Sequence, residues 1–321
     1  MAIKKIGVLT AGGDAPGMNA AIRSVVRYAL SKKVEVTGIF RGWWGLINEE
    51  IKPLDHRSVS GIINQGGTML KTARCAEFKT EEGKERAYQV VKKNAIDGLV
   101  VIGGDGSFRG AYEFYKKYAI PCVGIPASID NDIHGIDETI GADTAINTAL
   151  LAIDNIRDTA TSMERIFVVE VMGRSSGYIA LQVALAGGCE DVIIPERELN
   201  LESMCHGIVE GNIRGKISWI VVVAEGAAKA QDIARKITEM TSLETREVVL
   251  GHVQRGGRPT AFSRTLALTL GHAAVDCLLR GETNKVVGIK DSKIIVLDLE
   301  TAIHKKDLKA DHFYNLVKVL T

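Results

Sequence analysis

Three observations predict an α/β fold in which mostly parallel sheets are covered by helices on both faces. A short β-rich apolar run, a Gly-containing turn and a helix-period segment recur along the chain. The apolar runs are continuous rather than alternating, as strands buried on both faces are. Many of the 33 glycines stand directly after those runs, where a backbone can approach a ligand closely. Taken in order, KKIGVLT leads through AGGDAPG to MNAAIRSVVRYAL, and DGLVVIGGDGS leads to FRGAYEFYKKY. ERIFVVEVMGRSSG then leads to YIALQVALA, and ISWIVVVAEG to AAKAQDIARKITEM. Sites in such folds gather at the carboxyl ends of the strands.

A chain of 321 residues with 46% hydrophobic content is long enough for two domains. No Pro-, Ser- or Gly-rich linker divides it, so a domain boundary must be a compact crossing, placed near Ile140. Forty basic against 39 acidic residues leave a net charge of +1, so no global field draws the chain to nucleic acid or anionic lipid. The five cysteines, at 75, 122, 189, 205 and 277, are scattered and form no C-x-x-C pair, which argues against a disulfide framework or a zinc site and fits a reducing cytoplasm. The apolar run at the N-terminus breaks at Gly12 and Gly13, and nowhere are 18 apolar residues uninterrupted, so no membrane span is expected.

In VVIGGDGSF, Gly103, Gly104, Asp105, Gly106 and Ser107 lie between a buried strand and a helix start. Residues without side chains there let backbone N–H groups face a phosphate at the positive end of the helix, with Asp105 able to hold a magnesium ion on the same oxygens. The plain alternative is a tight strand-to-helix turn. Neither G-x-G-x-x-G nor G-x-x-x-x-G-K-[ST] occurs at these loops. TAGGDAPGMN offers a second, weaker loop at Gly12 and Gly13.

The stretch GIPASIDNDIHGIDETIGADTA crowds Asp130, Asp132, Asp137, Glu138 and Asp143 into fourteen residues. A solvated turn is the ordinary reading of such a loop. It imitates the start of a calcium loop but fails at position twelve, where Gly141 stands in place of a bidentate Glu. Two carboxylates beside the Ser128 hydroxyl at a strand end suit instead a base that accepts a hydroxyl proton in phosphoryl transfer. Arg74, Arg165, Arg174, Arg246 and Arg255 each lie near strand ends or Gly turns, where a planar fork grips phosphate.

GGDG, PASIDNDI, VMGR, ETR and LGHVQRGG, in this order and spacing, resemble the bacterial ATP-dependent 6-phosphofructokinase family. The likeness runs from the first strand to about Gly288 and includes LTAGGDAPGMNAAIR and INQGGTMLKTAR. IDNDI after GGDG is specific, whereas GGDG alone is shared with NAD kinases and lipid kinases. The resemblance implies two Rossmann-like three-layer domains with mostly parallel sheets: residues 1–140 with about 252–305 for ATP, and 141–251 with about 306–321 for fructose 6-phosphate. It implies a cytoplasmic, glycolytic kinase, a homotetramer with shared active sites, and sugar phosphate bound between the domains.

On that resemblance Asp130 is the general base on the sugar 1-hydroxyl, Ser128 bonds the transferring phosphoryl group and Arg174 assists. Gly12, Arg74, Cys75 and Gly103, Gly104, Asp105, Gly106 and Ser107 hold ATP, with Asp105 on Mg2+. Ser128, Ile129, Asp130, Met172, Gly173, Arg174, Glu225, His252, Val253, Gln254 and Arg255 bind fructose 6-phosphate, joined by Arg165 and Arg246 of a neighbouring subunit. ADP or phosphoenolpyruvate would act at a second site drawn from Arg23, Arg27, Arg157, Gly188, Cys189, Glu190, Arg214 and Lys216.

The chain departs from the family at several of these places. Ser128 replaces the usual Thr and loses the methyl that stiffens its rotamer. Tyr178 replaces an Asp, for which the sequence offers no account. At the effector site His56, Gly61, Ile217 and Ser218 replace Arg, Asp, Lys and His, so weak effector control is expected. Two rivals are set aside on residues. Pyrophosphate-dependent relatives carry Asp in place of Gly106 and typically Lys in place of Ala127, and a regulatory subunit without chemistry would most simply lack Asp130 or Asp105.

Overall fold

The computed structural model describes residues 3–320. In chain order, β1 (Lys5–Ala11), α1 (Met18–Ser31), β2 (Glu35–Ile39), α2 (Gly42–Ile47), β3 (Ile51–Leu54), α3 (Glu81–Lys93), β4 (Gly98–Gly103), α4 (Asp105–Tyr118), β5 (Cys122–Ser128) and β6 (Ile140–Gly141) lead into α5 (Ala142–Met163). Next come β7 (Ile166–Val171), α6 (Tyr178–Ala186), β8 (Asp191–Ile193), α7 (Leu201–Ile213), β9 (Trp219–Ala224), α8 (Ala230–Thr241) and β10 (Thr245–Val249). A short 3-10 helix over Gly251–Arg255 precedes α9 (Ala261–Leu279), β11 (Lys285–Lys290), β12 (Lys293–Asp298), α10 (Leu299–Ala302) and α11 (Asp311–Leu320). The chain forms two compact units, residues 1–144 with 255–306, and 145–254 with 307–321.

In the first unit the sheet order is β12-β11-β5-β4-β1-β2-β3, with β6 beside β5. Only the edge strands β3 and β12 run antiparallel to their neighbours. Pro53, which has no N–H to donate, is accommodated because β3 is an edge. Helices α1 and α9 pack together against one face of the sheet. The other face buries Leu9, Ile39, Leu99 and Val101 against α2, α3, α4 and α10, where Trp43 stacks on Phe78 at 4.2 Å. Helix α3 shows why these segments are helical: Thr80 accepts the Gly83 N–H at 3.0 Å as a cap, Glu81 and Glu82 occupy the first turn, and Lys92 and Lys93 the last.

The second unit holds a four-stranded, wholly parallel sheet in the order β10-β7-β9-β8. One face packs Val168, Val221 and Val223 against Met204, Ile208, Ile233 and Ile237 of α7 and α8. Helices α6 and α11 pack on the other.

Candidate active site

In the first unit the strand order reverses between β1 and β4, where ligands bind in open α/β sheets. Ala11 pairs with Gly103, and Gly103 with Pro126, so the carboxyl ends of β1, β4 and β5 lie side by side. This brings Gly12, the Gly103–Ser107 loop and Ser128 to one edge, with strands about 4.8 Å apart. Gly103 must be glycine: a Cβ there would lie 2.4 Å from the Ala11 carbonyl oxygen and 2.6 Å from Ser107 Oγ. At Gly106 the reverse holds, since a Cβ would meet nothing within 4 Å. Helix α4 starts at Asp105, and the Gly104 carbonyl takes the N–H groups of Ser107 and Phe108. The earliest N–H groups therefore point out beyond the helix end.

Neutral hydrogen bonds pin the neighbouring loop that carries Arg74 and Cys75. Thr10 donates to the Lys71 carbonyl at 2.8 Å, Thr72 to the Gly12 carbonyl at 2.6 Å, and Asn19 accepts from the Met69 N–H at 2.7 Å. Arg74 is exposed, whereas Cys75 is half-buried against the core and its thiol is pushed up by burial. Arg255 belongs to this unit, where it donates to the Asp14 carbonyl at 3.1 Å beside Gly13.

The acidic loop is not a solvated turn. Asp130 and Asn131 are 2% exposed and Ile129 is fully buried, so Ile129 can offer only backbone atoms to a ligand. Ser128 donates its proton to Asp132 at 2.9 Å and accepts from the Asp130 N–H at 3.3 Å. In this arrangement the hydroxyl expected to face a phosphoryl group spends its proton on Asp132. Thr139 donates to the Ser128 carbonyl at 2.6 Å, and Asn131, in the left-handed region with φ 49°, donates to the Asp137 carbonyl at 2.7 Å. Burial raises the Glu138 carboxyl above its ordinary value.

In the second unit the MGR segment leaves the carboxyl end of β7. The Met172 N–H goes to Gln254 at 2.8 Å, and those of Gly173 and Arg174 go to Glu225 Oε1 at 3.3 and 3.0 Å. Gln254 is fully buried and acts on this loop rather than by contact with solvent-borne ligands, while Arg174, His252 and Val253 are exposed. Glu196 takes the Gly177 N–H at 2.9 Å, so a carboxylate already stands at the start of α6, next to Tyr178.

Arg165 and Arg246 lie at the amino ends of β7 and β10, the edge opposite the MGR loop, and Glu244 holds both, Arg165 at 3.0 Å. The second-site residues of this unit share that amino edge: Gly188, Cys189 and Glu190 precede β8, and Arg214 and Lys216 precede β9. Arg157 donates to the carbonyls of Gly187 and Gly188 at 2.6 and 2.9 Å, and Lys216 pairs with Glu190 at 3.2 Å. Arg23 and Arg27 stand on α1 of the first unit, with Arg23 donating to the Val59 carbonyl at 2.9 Å.

Among the described residues no three His, Cys, Asp or Glu side chains gather as a metal cage. Asp105, part-exposed at the start of α4, is the kind of single carboxylate with which magnesium on nucleotide phosphates is content. Sequence reasoning missed Thr10, Asn19, Thr72, Thr139 and Glu196. A polar Asn19 on the buried side of an amphipathic helix was the one visible signal.

A family model described as Phosphofructokinase matches residues 5–278. The ATP-dependent 6-phosphofructokinase of Clostridium botulinum strain Hall is 51% identical over 319 residues, covering 99% of this chain and all of that protein. The solved phosphofructokinase of Saccharomyces cerevisiae superposes with a TM-score of 0.89 at 35% identity over 99% of this chain, which spans about half (48%) of the yeast chain. A pyrophosphate-dependent phosphofructokinase from Marinobacter aquaeolei, at 23% identity and a TM-score of 0.85 over 99% of this chain and 91% of its own, shares the fold. With motifs, sheet order and relatives in agreement, the chain belongs to the phosphofructokinase family.

Proposed function

We propose that the chain is a glycolytic kinase that transfers the γ-phosphoryl group of ATP to the 1-hydroxyl of fructose 6-phosphate, yielding fructose 1,6-bisphosphate and ADP. The observation that carries the reading is the alignment of three carboxyl strand ends in the first unit, which gathers Gly12, Gly103–Ser107 and Asp130. The open space at Gly106 favours a nucleotide over pyrophosphate as donor.

Asp130 takes the proton of the attacking hydroxyl, and the N–H groups at the start of α4 hold the donor phosphates. Asp105 would hold Mg2+, which supplies charge neutralisation on the phosphate oxygens. The MGR loop and Glu225 hold the sugar phosphate, with Arg174 as the exposed cation.

Arg165 and Arg246 bear on assembly. β7 spans six residues, roughly 20 Å, between Arg165 and Met172, too far for one sugar phosphate to touch both within one chain. Arginines that serve this substrate must then serve a neighbour's site, which supports sites shared between subunits; the assembly we propose is a homotetramer. At the second site Glu190 already engages Lys216 and faces Arg157 at 3.8 Å, so ADP or phosphoenolpyruvate must compete for those cations and control is weak. No helix among the described residues is long and apolar enough to cross a membrane, and the cytoplasm is the proposed location.

The test is a coupled assay for fructose 1,6-bisphosphate with ATP and with pyrophosphate, on the wild type and on Asp130→Asn. Turnover with ATP only, falling about 10² to 10⁴ in the variant with fructose 6-phosphate binding kept, is expected. Near-wild-type turnover of the variant would remove Asp130 from the role of base.

A further inference from the structure

Lys306 lies beyond the 5–278 span of the family match, yet its side chain reaches back to the acidic loop. Its ammonium donates to the Ile136 carbonyl at 2.7 Å. The charged groups facing it are Asp132, Asp137 and Glu138, with Asp143 next to Glu138. The same segment grips the loop twice more: Lys305 forms an isolated antiparallel bridge with Ile133, and His134 Nδ1 lies 3.1 Å from the Lys305 carbonyl oxygen. From the side of β11 and the turn that follows it, the Asp137 N–H reaches the Ile289 carbonyl at 2.8 Å, and Asp137 accepts the Asp291 N–H at 2.8 Å. The loop that carries Asp130 is thus clamped from both sides by residues more than 150 positions away.

Burial lowers the Lys306 ammonium below its ordinary value, while the three carboxylates act to keep it charged. A half-buried cation is retained against its desolvation cost only where counter-charges repay it. Here the counter-charges include Asp132, the acceptor of the Ser128 proton.

We propose that Lys306 is a positioning residue for phosphoryl transfer, holding the Ile136 backbone and balancing Asp132 so that Ser128 donates to Asp132 and turns its oxygen to the Asp130 N–H. The proposal rests on the reading of Asp130 as the base. Lys306 acts through the loop and touches no reacting atom.

The test compares Lys306→Met, Lys306→Gln and Lys306→Arg with Asp130→Asn in the full-length enzyme, reading kcat, both KM values, the pH profile of kcat and thermal unfolding. Lys306→Met is expected to lower kcat by roughly ten- to a hundred-fold, the scale of a small misplacement of a catalytic group, with both KM values within about two-fold. Its acid limb should move to higher pH, because losing the cation removes the charge that lowers the Glu138 carboxyl, and Lys306→Arg should recover most of the turnover. Lys306→Gln, which keeps a donor without the charge, is read the same way if the Met chain does not fold. An unchanged kcat overturns the proposal, as does a loss that leaves the acid limb in place and that Arg does not relieve. If Asp130→Asn keeps its turnover while Lys306→Met loses it, the base assignment fails and the clamp stands; the opposite pattern removes the clamp alone.

Discussion

Two loops of the same kind, Gly103–Ser107 after β4 and Met172–Gly177 after β7, dispose of their backbone N–H groups in opposite ways. Both leave a buried parallel strand and enter a helix. The first enters α4 at once, with Gly104 as cap and Asp105 as the first helical residue, so the helix start faces outward beyond the strand end. The second spends its N–H groups on side chains of its own unit: Met172 on Gln254, Gly173 and Arg174 on Glu225, Gly177 on Glu196. What it presents is a side chain, Arg174. On the proposed roles, a strand-turn-helix unit would hold phosphate with backbone at the glycine loop, and with arginine where side chains of its own unit take up the amides.

The comparison breaks if the first loop tolerates a side chain in its backbone. Gly103→Ala places a methyl 2.4 Å from the Ala11 carbonyl oxygen, and kcat/KM for ATP should fall by about 10² or more with the fructose 6-phosphate KM little changed. Full activity of a folded variant would show that this loop need not approach so closely. In the second loop the damage should fall on the other substrate. Glu225→Ala removes two bonds to a carboxylate, worth about 1.5 kcal/mol each, and should weaken fructose 6-phosphate by ten- to a hundred-fold while sparing ATP. Equal losses for both substrates would erase the distinction between the loops.

A somewhat smaller effect sharpens the contrast between the two edges of the second sheet. Arg165→Ser or Arg246→Ser should raise the fructose 6-phosphate KM about ten-fold. Mixed assemblies of Arg165→Ser and Asp130→Asn chains should regain activity, whereas no regain would place every contact within one subunit.

The smallest effect is confined to alkaline pH and treats the two units alike. Burial pushes the Cys189 thiol in the second unit up to about 12, and burial followed by the Glu282 carboxylate does the same for Cys277 in the first. An unfolded thiol titrates near 9, so between about 9 and 12 the unfolded chain releases protons that the folded chain keeps. The stability these groups contribute is complete below about 9 and lost as pH rises toward 12. The urea midpoint should therefore decline over that range, and the decline should flatten in Cys189→Ala with Cys277→Ala.

Much of the fold was legible because continuous apolar runs and glycine turns are local signals. The motifs proposed for the site are equally local: GGDG and IDNDI each lie within a few positions. The sides of the second sheet were not. Arg165 and Arg246 look like any arginine beside a strand, and which end of the strand they occupy depends on where β7 and β10 begin. Glu196 and Lys306 carried no signal, since an acid 19 residues from Gly177 and a lysine 170 from Ile136 have no pattern that joins them.

By itself the sequence determined which segments become strands and helices, because apolar periodicity and glycine placement act over a few residues. It also determined the chemistry available: carboxylates and a hydroxyl after β5, amides and one acid after β4, arginines in the second unit. Tertiary structure decided what stands beside what. That β1 neighbours β4 rather than β3, that Ser128 gives its proton to Asp132, and that a lysine from the far end of the chain closes the acidic loop follow from strand pairing and burial across the whole unit, contacts whose free energy no local stretch of chain contains.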